Sequence, residues 1–186
     1  MKKFELTNEF VTNMFGTKLF RIRALVEFGD VEAGELGGYV EKESNLGHDD
    51  NAWVYDNAWV YGDAQVSGDA RVCGNAGVYG NAQVSGNARV SGNARVYGDA
   101  RVCGNGDYAY AHGFGSVNRT TTFFRLKDGG VGVRCGCFYG TLAQFRDKIR
   151  ETHGESAIAE EYLDLAALME KRFRRTGNEQ KTEEES

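Results

Sequence analysis

From Asn51 the chain reads NAWVYD, NAWVYG, DAQVSG, DARVCG, NAGVYG, NAQVSG, NARVSG, NARVYG, DARVCG, nine six-residue units in unbroken register through Gly104. The first position is always Asn or Asp, the second Ala, the fourth Val, and the sixth Gly except at Asp56. In an extended A-x-V-x stretch side chains alternate sides, so Ala and Val face inward and positions three and five face outward. Gly followed by Asn or Asp supplies the left-handed backbone of a sharp corner. Each unit is therefore one short strand plus one corner. Three units close a coil, and coils stack because none can bury its small residues alone. Nine units predict three regular coils rising roughly 15 Å.

Working outward, Asn45–Asp50 reads as a degraded unit in the same frame, and Tyr39–Ser44 as a fainter one. After Gly104 the frame fades through 105–116. The predicted solenoid spans 39–116, with its regular part at 51–104. Residues 1–38 read as an N-terminal β cap, with Phe20, Ile22, Ala24 and Val26 on one side of a strand.

Residues 117–175 read as a separate unit. Thr120–Leu126 and Val131–Phe138 form a hairpin across Lys127-Asp128-Gly129-Gly130. Thr141 with Gln144 is a capping box opening a helix with Leu142, Phe145 and Ile149 on one face, broken at Gly154. A second helix runs from about Ser156 to Phe173, with Ile158, Tyr162, Leu165, Met169 and Phe173 inward. The polar, acidic stretch 176–186 is expected to be a disordered tail.

Composition narrows the function. Net charge is −5, with 25 glycines and no proline. The repeat tract 51–104 carries four basic and four acidic residues. No segment is basic, so direct nucleic-acid binding is not expected. No apolar run suits a bilayer. Lys2 and Lys3 precede no apolar h-region, so no signal peptide is expected and the cytosol is the expected compartment. The four cysteines there would be reduced.

The coil period predicts three outward faces. One stacks Trp53, Arg71 and Arg89 beside Tyr55, Cys73 and Ser91. A second stacks Trp59, Gly77 and Arg95 beside Tyr61, Tyr79 and Tyr97. A third stacks Gln65, Gln83 and Arg101 beside Ser67, Ser85 and Cys103. Tyr, Trp and Arg are the residues enriched at protein interfaces. The candidate binding face is therefore Trp59, Tyr61, Tyr79, Arg95 and Tyr97, and the second face is Trp53, Arg71 and Arg89. Stacked identical side chains can equally serve only to support the coil.

Chemistry-bearing groups are few. Cys135-Gly136-Cys137 with His153 offers three potential zinc ligands and no fourth. Cysteines on the core side of a strand are ordinarily buried thiols, so no metal is expected. A Cys–His nucleophile has no supporting motif. Hexapeptide solenoids also build acyltransferases that use a histidine base. The nine units contain no histidine and no inserted loop, leaving His48 and His112 in the flanks as candidates. No catalytic residue and no cofactor is expected.

The tract GNAxVxGNAxV resembles the left-handed β-helix hexapeptide class, and the resemblance supplies the handedness. The layout more specifically resembles bacteriophage and prophage proteins of gut bacteria. The matching pieces are Phe20-Arg21-Ile22-Arg23-Ala24-Leu25, the segment Gly34 to Glu43, Asn51 to Asp56, Thr121 to Arg125, Cys135 to Phe138, Gly140-Thr141-Leu142 and Thr152-His153-Gly154. That resemblance implies fold and origin and carries over no catalytic residue. The resulting expectation is a mainly β protein, a left-handed parallel β-helix with an N-terminal β cap and a C-terminal hairpin plus two helices. Functionally it is a non-enzymatic, phage-encoded inhibitor of a host defence protein such as a CRISPR effector. The alternatives are an acyltransferase, a self-assembling homo-oligomeric structural protein, or a small-ligand sponge.

Overall fold

The computed structural model describes residues 1–115 and 117–184, with side chains described to Thr176. The chain forms two compact units, Met1–Asn105 and Gly106–Ser186.

The first unit begins with three longer strands, β1 (Phe4–Thr12), β2 (Lys18–Ala24) and β3 (Leu36–Val40). Nine two-residue strands follow, each the third and fourth positions of one hexad. They are β4 (Trp53–Val54), β5 (Trp59–Val60), β6 (Gln65–Val66), β7 (Arg71–Val72), β8 (Gly77–Val78), β9 (Gln83–Val84), β10 (Arg89–Val90), β11 (Arg95–Val96) and β12 (Arg101–Val102). They pair in parallel three units apart, in the orders β4-β7-β10, β5-β8-β11 and β6-β9-β12. This is a parallel β-solenoid. Every Ala and Val of the repeat is at most 2 % exposed. The corner glycines from Gly62 to Gly98 lie at φ between +58° and +73°. A Cβ on Gly68 would sit 3.0 Å from the Gly86 nitrogen one coil on. Left-handed φ and coil-to-coil spacing thus impose the same residue. At the one exception, Asp56 takes φ +54° and its carboxylate accepts the Gly74 N–H at 2.8 Å.

The antiparallel β1-β2-β3 sheet runs on into one solenoid face, giving the order β1-β2-β3-β5-β8-β11. β3 joins at an offset of twenty residues, Tyr39 opposite Trp59 and Val40 opposite Val60. Leu46 bridges to Val66 at the same offset. The frame expected for Asn45–Asp50 is therefore corrected by two positions. Leu46 fills the inward Val position, and two extra residues are absorbed before Ala52, where Asp50 adopts φ +58°. Buried Asn45 closes this coil by donating from Nδ2 to the Gly62 and Ala64 carbonyls at 3.0 and 2.8 Å. Buried Lys3 donates to the Ala52 carbonyl at 2.9 Å.

The second unit is an antiparallel meander, β13 (Tyr108–Phe114), β14 (Arg119–Arg125), β15 (Val131–Cys135) and β16 (Phe138–Thr141), followed by α1 (Leu142–His153) and α2 (Ala157–Glu184). The expected hairpin is its centre. The stretch after Gly104, expected to be a fading coil, is instead β13, paired with β14. The Thr141–Gln144 capping box opens α1, and Gly154 ends it. Phe145, Ile149, Tyr162, Leu165 and Phe173 close over Phe123 and Val133 as one core. The backbone of α2 continues to Glu184, which corrects the expected tail from Thr176. Gln, Lys and Glu are good helix formers and no proline interrupts them. Glu185 and Ser186 lie outside the described residues.

Candidate functional site

The face carried by β5, β8 and β11 brings the predicted tyrosines into one column. Tyr61 and Tyr79 stack with centroids 4.8 Å apart and planes 2° from parallel. Tyr79 and Tyr97 repeat the 4.8 Å spacing at a 40° tilt. That spacing is the separation of hydrogen-bonded strands, so the backbone sets the ladder. All three rings are half-buried.

Beside the ladder, the position-three column runs Tyr39, Trp59, Gly77 and Arg95. Trp59 is half-buried and Arg95 exposed. Arg95 folds back over the neighbouring coil, its Nη1 donating to the Asn75 carbonyl. A Cβ on Gly77 would lie 3.2 Å from Arg95 Cδ. The missing side chain is what lets the arginine lie flat. The ladder is headed by Glu41, whose carboxylate accepts the Gly62 N–H at 2.7 Å. Tyr39 is tied to Arg21 and Glu9 through its hydroxyl. Sequence reasoning missed these two, because the two-residue shift hides that they share the columns.

The second face is divided. Trp53 was expected outside and is fully buried, with Phe4 and Phe28 packed edge-on against it at 6.2 and 5.4 Å. Its outward position is real, but the N-terminal segment covers it. Arg71 pairs with Asp30 at 2.6 Å, and Tyr55 donates to the same carboxylate at 3.0 Å. Burial, then the hydrogen bond to Asp30, pushes the Tyr55 hydroxyl up to about 12. Burial raises Asp30, but the hydrogen bonds from Arg71 and Tyr55 outweigh it and hold the carboxyl below its ordinary value. Arg89 is exposed. The three residues do not form one surface.

The remaining candidates are scattered. His48 lies in the N-terminal cap, stacked on Phe4 at 4.5 Å, with Nδ1 accepting the Lys3 N–H. His112 is on β13, its Nδ1 2.9 Å from Thr120 Oγ1. Cys135 is buried and accepts from Thr121 Oγ1 at 3.2 Å, while Cys137 is exposed. Among the described residues no cluster of three or more His, Cys, Asp or Glu side chains could hold a metal. None of the described helices is long and apolar enough to cross a membrane. An apolar turn also went unread: Met14 and Phe15 are 90 % and 77 % exposed, in a loop fixed by Asn13 Oδ1 accepting from the Phe15 and Thr17 amides.

With this geometry the fold defines the class, a parallel β-solenoid with an α+β second unit. A family model described as the YdcK beta solenoid repeat matches residues 64–80 and 82–98, within the regular hexads. No curated protein matches the chain.

Proposed function

We propose that the protein is a non-enzymatic binding protein that engages another protein through the Tyr61–Tyr79–Tyr97 face. The observation that supports this best is the stacked ladder, flanked by Trp59 and Arg95 on a backbone fixed by coil pairing. Rings already ordered before contact lose little freedom on binding, and Tyr, Trp and Arg dominate interface energetics. In its finer form the reading is a phage-encoded inhibitor of a host defence system, a CRISPR nuclease or similar nucleoprotein, acting in the bacterial cytoplasm. The resemblance of its sequence pieces to phage and prophage hexapeptide-repeat proteins supports that origin. The balanced charge of the repeat tract favours contact over imitation of nucleic acid.

The test is capture from bacterial lysate with the tagged full chain, wild type against a Tyr61→Ala, Tyr79→Ala, Tyr97→Ala variant. A defined protein recovered stoichiometrically by the wild type and lost by the variant supports the reading. Recovery of the same protein by both sinks the assignment of the face.

A further inference from the structure

We propose that the second unit carries a small-molecule site, a cleft that binds an aromatic monocarboxylate. The cleft has a volume of about 360 Å³, at the small end of the range for ligand pockets. Phe138, Phe145, Ile149 and Tyr162 form its apolar part. These rings are mutually fixed. Phe138 and Phe145 lie 5.4 Å apart, and Tyr162 meets Phe145 edge-on at 5.9 Å. The Tyr162 hydroxyl donates to the Phe114 carbonyl at 3.3 Å, which holds the ring in place. Such walls select a flat apolar body.

Charge at the mouth selects the head group. Arg119, Lys148 and His153 line the cleft and, among the described residues, no acidic side chain does, in a chain of net charge −5. Lys148 is already paired with Glu151 at 2.9 Å. The Arg119 side chain makes no hydrogen bond or ion pair among the described residues, while its backbone is held in the β13–β14 ladder opposite Phe114. Its guanidinium lies over Gly136, where a Cβ would collide with it. Gly136, at φ +57°, is the first residue of the two-residue turn between Cys135 and Phe138. The turn favours glycine there, and its bare backbone leaves room for the Arg119 guanidinium. One planar, permanently charged fork at the edge of an apolar cleft matches one carboxylate.

The test is calorimetric titration of the full chain with naphthoate, and with naphthalenemethanol as the neutral analogue. The proposal expects saturable one-to-one binding of naphthoate, roughly tenfold weaker for the alcohol and for Arg119→Gln. Thr152→Trp, an exposed helix position that lines the cleft, blocks the mouth and abolishes binding while circular dichroism is unchanged. The proposal is overturned by any of three results: no saturable binding of naphthoate to the folded wild type, equal affinity for the alcohol, or wild-type affinity in both variants.

Discussion

Tyr61 and Tyr79 lie face to face, 2° from parallel and 4.8 Å apart, on strands whose own separation sets that distance. Tyr97 continues the column. Two consequences follow from one geometry: each ring supports its neighbours, and the outer edges form a continuous aromatic strip.

Replacing the middle ring separates those roles. Tyr79→Ala removes both stacking contacts and is expected to cost about 1–2 kcal/mol of stability. A double-mutant cycle of Tyr79→Ala with Tyr97→Ala isolates the contact between these two rings, expected to be worth about 0.5–1.5 kcal/mol. Chemical denaturation of the single and double variants against wild type checks this. Additive costs would show that the ladder does not act as a stack.

The Asp30–Tyr55–Arg71 cluster predicts a pH signature. Burial and the hydrogen bond to Asp30 push the folded Tyr55 hydroxyl up to about 12, against about 10 in the unfolded chain. Between those values the unfolded state binds fewer protons, so stability falls as pH rises. On the acid side, the folded Asp30 carboxyl is held low. Its contribution is present above the unfolded value of about 4 and is lost as pH falls through the folded one. That contribution is small, because the carboxylate is largely solvated. Asp30→Asn is expected to bring one tyrosine's phenolate absorbance back towards its ordinary range. An unchanged absorbance titration would contradict the coupling.

Glycines of two kinds predict opposite outcomes. Gly86 sits at φ +58° and its Cβ would run into the Cys103 carbonyl. Gly86→Ala is expected to cost more than about 2 kcal/mol. Gly77 has no positive φ, and its Cβ would meet the flexible Arg95 side chain at 3.2 Å and the Tyr79 ring at an ordinary contact distance of 3.5 Å. Gly77→Ala is expected to change stability by less than about 1 kcal/mol while displacing Arg95. Thermal melting of the pair distinguishes backbone demand from side-chain room.

Much of this architecture was legible in the sequence, for a local reason. In the hexads every inward position is Ala or Val and nearly every corner is Gly before Asn or Asp, so periodicity and turn chemistry agree. What escaped depends on distant contacts. Trp53 occupies an outward position, and it is buried where Phe4 and Phe28 pack against it from the N-terminal segment. The first coil's two extra residues fall in a corner, where Asp49-Asp50 reads as readily as a worn repeat. Tyr108–Phe114 has no hexad signal because it pairs with β14. The tyrosine column was placed by period alone, whereas Arg119 carries no sequence signal until the fold sets it over Gly136.

Asn45 tests the corrected first coil. Its side chain satisfies two buried carbonyls, so Asn45→Leu leaves them unpaired and is expected to cost about 1–3 kcal/mol. Hydrogen exchange is expected to accelerate at Tyr39–Leu46 before the regular coils. Uniform exchange along the solenoid would contradict a distinct first coil.

The most direct test of the binding account is native mass spectrometry of complexes captured by the full chain, comparing wild type, the triple Tyr→Ala ladder variant and Arg101→Ala on another face. The account predicts a stoichiometric complex with another protein for wild type and Arg101→Ala, and its loss in the ladder variant. A complex that survives removal of the ladder, or wild-type protein recovered only with copies of itself, would contradict it.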